Sequence, residues 1–315
     1  MLPSNTILGI FLMSQLCVGV TGNSLLFILY MYTFFFKPHF KKLIDSISMH
    51  LTIVNMLMII FTLIPHIMSS FGVPKFLDDT GCRAVLFVFR VSRGQSISTT
   101  SILSTFQVIT ITPSNSKWAW LKPKLSKLTF SSLLCSWIIN LLIYSYMVQM
   151  VIAKTNSTHV GNGYLDPYCQ NKHFGNQNSG SFLSIIFIYD LFYVAIMIWT
   201  SLYMVTLLYR HRKRAQHLHS TNLSCQPSPE RRATHSILLL VSCFVSIYWL
   251  NNVITLFGFY TQAKIPNLEG INAILATCYP TICPFLLIKN NKLVLLFTSS
   301  FSITRMTCFQ SALHG

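Results

Sequence analysis

The sequence predicts an all-α protein, a bundle of seven transmembrane helices with its N-terminus outside the cell. Hydrophobic residues make up 52% of the 315 residues and charged residues only 10%, whereas soluble domains carry about a quarter charged residues. Seven apolar stretches each reach the roughly 20 residues that a helix needs to cross a bilayer. The basic residues are concentrated in alternate loops, as the positive-inside rule requires of a multi-pass protein.

The first apolar stretch, 7–32, carries no charge and is followed by Lys37, Lys41 and Lys42. A cleaved signal peptide would be shorter and would follow a basic segment, so we interpret 7–32 as a membrane span. Six further spans are predicted at 43–71, 83–112, 128–153, 181–209, 234–260 and 269–288. These spans predict a single transmembrane domain over 1–315, in which 289–315 is a short cytoplasmic tail.

The loop charges orient the chain in the membrane. Segments 33–43, 113–127, 210–233 and 289–315 hold sixteen of the 23 Lys and Arg residues. The loops on the other side hold only five, which are Lys75, Arg83, Lys154, Lys172 and Lys264. Cytoplasmic loops are the ones enriched in Lys and Arg. We therefore predict that the N-terminus lies outside and that the protein is a multi-pass protein of the plasma membrane.

The third span carries two arginines, Arg90 and Arg93. At about 1.5 Å per residue, they lie roughly 12 and 17 Å below Cys82, near the middle of the hydrocarbon core. Charges at that depth normally face the interior of a bundle, and a spacing of three residues places both on one helix face. Asp190, in the fifth span, is the only carboxylate well inside a predicted span.

Only two of the nine cysteines, Cys82 and Cys169, fall in segments predicted to lie outside the cell. An oxidising compartment favours a disulfide between them over two free thiols. The loop between spans four and five, which holds Cys169, also contains Asn156 in an Asn-Ser-Thr triplet, and this triplet predicts N-glycosylation at that asparagine.

Seven ordered segments resemble the vomeronasal type 1 receptors, a family of pheromone-sensing G-protein-coupled receptors. They include IDSISMHL at 44–51, RVSRG at 90–94, TITPSNSKW at 110–118, YMV at 203–205, SPE at 228–230, LLLVSCFV at 238–245 and CYPT at 278–281. The resemblance covers nearly the whole chain and implies a rhodopsin-like architecture. The inner end of the third span reads LSTFQVIT at 103–110, without the acidic-Arg-aromatic triad of most rhodopsin-like receptors, and this departure is typical of the vomeronasal family.

The resemblance implies a small organic, pheromone-like ligand between the outer halves of spans three, five, six and seven. Aromatic and amide side chains are the usual lining of such cavities, although aromatic residues in a bundle more often serve only packing. The residues predicted to contact ligand are Phe89, Arg90, Arg93, Tyr189, Asp190, Tyr193, Tyr248, Trp249, Asn252 and Asn272.

Two hypotheses account for the arginines of span three. Either Arg90 or Arg93 pairs with an anionic group of the ligand, such as a sulfate or a carboxylate, because guanidinium binds such groups through two hydrogen bonds. Alternatively, Asp190 neutralises one arginine in a structural ion pair and the ligand is apolar. The sequence leaves both hypotheses open.

The resemblance also implies coupling to a heterotrimeric G protein, of the inhibitory class. The predicted contacts with it are Gln107, Arg210, Arg212, Lys213 and Arg232. The alternative for the basic cluster is that it fixes the topology and touches anionic lipid headgroups, as basic flanks of membrane spans do.

Other functional classes are less compatible with the sequence. A bitter-taste-type receptor is the nearest alternative, since it also lacks the acidic-Arg-aromatic triad. A transporter or channel would show internal repeats or several acidic residues along a pore, and we find neither. An enzyme would need a catalytic or metal-binding motif on its helices, so no enzymatic activity, cofactor or metal is predicted. The basic residues lie in short loops between spans, which argues against a nucleic-acid partner.

Overall fold

Seven long helices make up most of the described chain. The structure is a computed structural model that describes residues 4–36, 43–74, 76–113, 116, 119–148, 151–153, 167–171, 176–218, 229–260 and 268–288. The helices are α1 (Ser4–Phe36), α2 (Leu43–Ser70), α3 (Asp79–Ile111), α4 (Leu125–Val148), α5 (Asn176–Leu218), α6 (Pro229–Tyr260) and α7 (Leu268–Ile288). A short 3-10 helix, Ala119–Lys124, precedes α4. The seven-helix fold class is confirmed.

Six of the helices, all except α3, are long and apolar enough to cross a membrane. Polar side chains are buried along α3, which packs against α2, α4, α5 and α6. The buried polar residues of α3 are Ser92, Arg93, Gln95, Ser96, Ser98, Thr99, Thr100, Ser101, Ser104 and Gln107. The least apolar helix is therefore the one that the other helices shield most completely.

Local sequence fixes both ends of α3. Asp78 caps the first turn, because its carboxylate accepts a hydrogen bond of 2.6 Å from the backbone N–H of Gly81. At the other end the backbone N–H of Thr112 still bonds to the carbonyl of Val108, and Pro113 follows, which disfavours a further helical residue before it. By the predicted topology, the Asp78 end is the outer, extracellular end and the Thr112 end is the inner, cytoplasmic one.

A two-stranded ribbon covers part of the outer end. Strands β1 (Val151–Ala153) and β2 (Cys169–Asn171) pair antiparallel, a small exception to the predicted all-α class. The predicted disulfide is confirmed, since Cys169 bonds to Cys82 of α3. Asp79 accepts a hydrogen bond of 2.7 Å from the backbone N–H of Ala153, so α3 holds both strands. The predicted glycosylation site, Asn156, lies outside the described residues.

The largest apolar cluster lies between α2, α3, α5, α6 and α7. Its fully buried members include Leu51, Ile97, Leu103, Met197, Met204 and Leu240. A second cluster joins α1 to α2 and α7 around Leu12, Ile59 and Leu63. The bundle is thus packed along most of its length by aliphatic side chains from several helices.

Two contacts seat α3 against its neighbours α2 and α4. Trp137 Nε1 donates to His50 Nε2 over 2.8 Å, and His50 Nδ1 lies 3.1 Å from Thr99 Oγ1. An indole N–H can only donate, so His50 Nε2 accepts and Nδ1 carries the proton that goes to Thr99. Gly94 faces Asn140 of α4 so closely that a methyl group at position 94 would overlap the Asn140 amide oxygen. Both contacts therefore depend on specific side chains rather than on general hydrophobicity.

Candidate functional site

A buried ion pair joins α3 to α5 near the middle of the bundle. Arg93 Nη1 lies 3.5 Å from Asp190 Oδ2, and the two side chains are 10% and 3% exposed. Arg93 stands about 21 Å along α3 from its first residue, at a rise of 1.5 Å per residue. Two charges so far from water are stable together only when they neutralise each other and further hydrogen bonds complete the site.

Helix α6 supplies those further bonds. Tyr248 Oη donates to Asp190 Oδ2 over 2.7 Å, and Arg93 Nη2 donates to Asn252 Oδ1 over 3.3 Å. The Arg93 guanidinium also lies 5.1 Å from the centre of the Tyr248 ring, within range of a cation-π interaction. We call Arg93, Asp190, Tyr248 and Asn252 the outer cluster. It ties α3, α5 and α6 together.

Tyrosines of α5 continue the wall beside the outer cluster. The rings of Tyr189 and Tyr193 meet edge to face at 5.0 Å. Asn140 of α4 donates a hydrogen bond of 3.0 Å to the Tyr189 hydroxyl. Tyr144, one turn farther along α4, is fully buried. This wall presents rigid aromatic surface with a few polar atoms, the composition of small-molecule sites in general.

A cavity of about 30 Å³ lies on the inner side of the outer cluster. It is bounded by α2, α3, α6 and α7, and its polar lining residues are Arg93, Ser96, Tyr248, Asn251 and Tyr279. The amide oxygen of Asn251 is buried without a hydrogen-bond partner. A volume of this size holds one or two water molecules, whereas drug-sized ligands occupy roughly 300 Å³ or more. Among the described residues, this cavity is too small for a ligand of that size.

The remaining predicted ligand contacts have other partners in addition to, or instead of, the outer cluster. Phe89 packs beside the disulfide, and the Arg90 guanidinium lies 5.6 Å from the centre of the Phe89 ring. Asn272 of α7 accepts a hydrogen bond from Thr255 of α6. Spacing placed both arginines on one helix face, and among the described residues the ion pair of Asp190 is with Arg93.

The position of Trp249 in this structure does not support the prediction that it contacts ligand. Its side chain is 69% exposed, on the side of α6 that faces away from the bundle interior. Successive residues of a helix point about 100° apart, so Tyr248 and Asn252, four residues apart, share the inner face and Trp249 does not.

The predicted G-protein contacts are divided between buried and exposed positions. Gln107 is only 4% exposed, and its amide donates a hydrogen bond of 3.0 Å to Thr234 of α6. Arg210, on α5, is exposed. The side chains of Arg212, Lys213 and Arg232 lie outside the described part of the structure, although their backbones belong to α5 and α6.

Two kinds of site residue escaped the sequence analysis. Asn140 and Tyr144 contribute from α4, where a polar residue within an apolar run could have indicated an inward position. Ser96 and Tyr279 also line the cavity, and although Tyr279 lies in the CYPT segment at 278–281, that segment was used only for the family resemblance.

Known proteins match this chain along nearly its whole length. A family model described as the vomeronasal organ pheromone receptor family matches residues 6–300. The chain belongs to this family, the vomeronasal type 1 receptors. Its relatives include human vomeronasal type-1 receptor 4, 37% identical over 88% of this chain and 92% of that protein. Human vomeronasal type-1 receptor 3 is 35% identical over 90% and 91%, and rat vomeronasal type-1 receptor 96 is 32% identical over 96% and 93%.

Membership of the vomeronasal type 1 family confirms the resemblance found in the sequence. It makes this protein a chemosensory receptor of the G-protein-coupled type and an integral membrane protein, rather than an enzyme. The outer cluster and the cavity are therefore features of a vomeronasal type 1 receptor, and its inner helix ends are those of a signalling protein.

Proposed function

We propose that this vomeronasal type 1 receptor binds a small organic, pheromone-like ligand at the outer cluster and then activates a heterotrimeric G protein of the inhibitory class. The observation that carries the proposal is the outer cluster itself. One set of buried side chains joins α3, α5 and α6. A ligand that inserts beside these side chains changes the relative positions of all three helices.

The small cavity supports a coupling between binding and helix movement. About 30 Å³ of free space cannot admit an organic ligand unless the helices or side chains around it separate. The arrangement that accommodates ligand is therefore different from the closed one. A ligand that binds one arrangement better than the other shifts the equilibrium between them, and this shift is the signal in our proposal.

The ion pair favours internal neutralisation for Arg93. Asp190 already matches its charge, and Asn252 and the Tyr248 ring occupy two of its faces. An anionic ligand would have to displace Asp190 to reach Arg93. We therefore assign Tyr248 and Asn252 to ligand contact, and place any recognition of an anionic group at Arg90 rather than at Arg93.

The experiment is expression in reporter cells that carry an inhibitory-class G protein, with a panel of small organic compounds. The panel includes one steroid in sulfated and unsulfated form. We expect Asn252→Ala to raise the half-maximal concentration of every active compound by about tenfold or more, and Arg90→Ala to weaken only sulfated compounds. A receptor that reaches the cell surface but gives neither basal nor ligand-dependent signal through any G protein would refute the proposal.

A further inference from the structure

A second set of buried polar side chains joins the same three helices near their inner ends. Gln107 Nε2 of α3 donates to Thr234 Oγ1 of α6 over 3.0 Å. Thr200 Oγ1 of α5 donates to Ser104 Oγ of α3 over 3.0 Å. All four side chains are buried. We call Ser104, Gln107, Thr200 and Thr234 the inner latch.

The polar groups of the inner latch lie in apolar surroundings, where an unpaired group would be costly. Ser104 and Gln107 are three residues apart and share one face of α3. Leu103, Met204 and Ile237, next to latch residues in sequence or space, belong to the large apolar cluster. A polar group left unpaired in such surroundings costs more than the net gain of an ordinary hydrogen bond. The latch is therefore stable only while its partners stay together.

We infer that the inner latch holds α6 against α3 in the inactive receptor, and that its neutral hydrogen bond between Gln107 and Thr234 sets the basal activity. The inference rests on the proposed function, because it names the regulation of the same signalling movement. While Gln107 is bonded to Thr234 and buried, it cannot contact a G protein. Coupling through the inner ends therefore requires the Gln107 to Thr234 bond to break.

Removing one partner of the Gln107–Thr234 bond should shift the receptor more than removing both partners. Thr234→Val keeps the shape of the side chain but removes the oxygen that accepts from Gln107. The Gln107 amide would then be buried and unpaired in the closed state, whereas it meets water or the partner protein in the open state. The double variant Gln107→Leu with Thr234→Val removes both polar groups, and replacing both partners by apolar groups of similar shape is close to neutral.

Two measurements on the full-length receptor test the inference without a ligand. The first is basal signalling in the reporter cells, normalised to receptor at the cell surface. The second is a 19F spectrum of purified receptor with an encoded trifluoromethyl-phenylalanine in place of His235, an exposed position on inner α6. The line areas report the closed and open populations without any G protein.

We expect Thr234→Val to raise basal signalling about tenfold, which is within the effect of one unpaired buried polar group, and to enlarge the open-state 19F line. The double variant should return the 19F populations to within about twofold of the parent. Thr110→Val is the matched control, because Thr110 is exposed on inner α3 and its hydrogen bond among the described residues is to its own helix, at the Phe106 carbonyl. It should change neither readout.

Unchanged 19F populations in Thr234→Val would overturn the inference, and so would a double variant as open as the single one. If the 19F populations shift as expected while no G protein responds to any variant, the latch stands as a conformational restraint and the proposed signalling function fails. A Thr234→Val receptor that does not reach the surface is replaced in both measurements by Gln107→Leu, which removes the same hydrogen bond from the α3 side.

Discussion

The outer cluster and the inner latch connect the same three helices by different chemistry. Both join α3 to α5 and α6, and they lie about 21 Å apart along α3, since Gln107 follows Arg93 by fourteen residues. The outer cluster contains a buried ion pair, whereas the bonds of the inner latch are between neutral groups. A buried charge left without its partner is far more costly than a neutral group in the same position. We expect the outer cluster to determine whether the bundle holds together and the inner latch to determine which arrangement it adopts.

Asp190→Ala should have the largest effect. It leaves the Arg93 cation buried without its carboxylate, and breaking a buried ion pair from one side costs about 3–5 kcal/mol. We expect a loss of most surface expression and a large fall in melting temperature of the purified receptor. The double variant Arg93→Met with Asp190→Leu is the control, and it should recover much of the loss because it buries no charge. A single variant as stable as the parent would contradict the role given to the ion pair.

Gly94→Ala tests the position of α3 between the two regions. The added methyl group would overlap the Asn140 amide oxygen, and overpacking of this kind costs about 1–3 kcal/mol. The melting temperature should fall, and Gly94→Ala combined with Asn140→Ala should restore part of it by making room. If the pair of substitutions is simply additive, the two residues do not limit how closely α3 and α4 approach.

Tyr248→Phe removes one hydrogen bond from the outer cluster but keeps the ring over Arg93. Since a hydrogen bond to a charged group contributes about 1.5–3 kcal/mol, the expected loss of stability is smaller than for Asp190→Ala. Tyr193→Phe is the comparison, because it removes a hydroxyl from the neighbouring wall and not from the ion pair. Equal melting temperatures for the two variants would show that the Tyr248 hydroxyl does not support Asp190.

Thr200→Val should have the smallest effect on stability, about 1 kcal/mol or less. Its hydroxyl bonds to Ser104 of α3, and the Met197 carbonyl of its own helix is a second possible acceptor. Basal signalling should nevertheless rise, by about two- to fivefold. If Thr200→Val lowered the melting temperature as much as Tyr248→Phe and left basal signalling unchanged, the inner latch would serve stability, as the outer cluster does, and would not set the arrangement of the helices.

Long-range features of the fold were predictable from the sequence because they depend on averages over many residues. Apolar length predicted seven helices, and the predicted outer location of Cys82 and Cys169 predicted their disulfide. The third span, 83–112, was predicted as an apolar stretch like the others, although α3 is the least apolar of the seven helices. The outer ribbon was missed, since three-residue strands carry too little pattern to detect.

Side-chain placement was less predictable, because it depends on the rotation of each helix. Tyr248 and Trp249 are adjacent aromatic residues of α6, so residue type alone could not distinguish them. Arg90 and Arg93 have the same spacing and chemistry, and only the location of Asp190 on α5 separates them. Gln107 was placed at the signalling surface because it lies near the inner end of α3, whereas its partner on α6 keeps it buried.

The polarity of α3 also has a consequence for biosynthesis. A nascent helix leaves the translocation channel when lipid is a better environment for it than water, and α3 is not among the helices apolar enough by that measure. We expect α3 to enter the lipid only after α4 has been synthesised, when α2 and α4 can pack around it. The hydrogen bonds from Trp137 of α4 to His50 of α2 and between His50 and Thr99 of α3 would then be among the first contacts that hold α3 between these two helices.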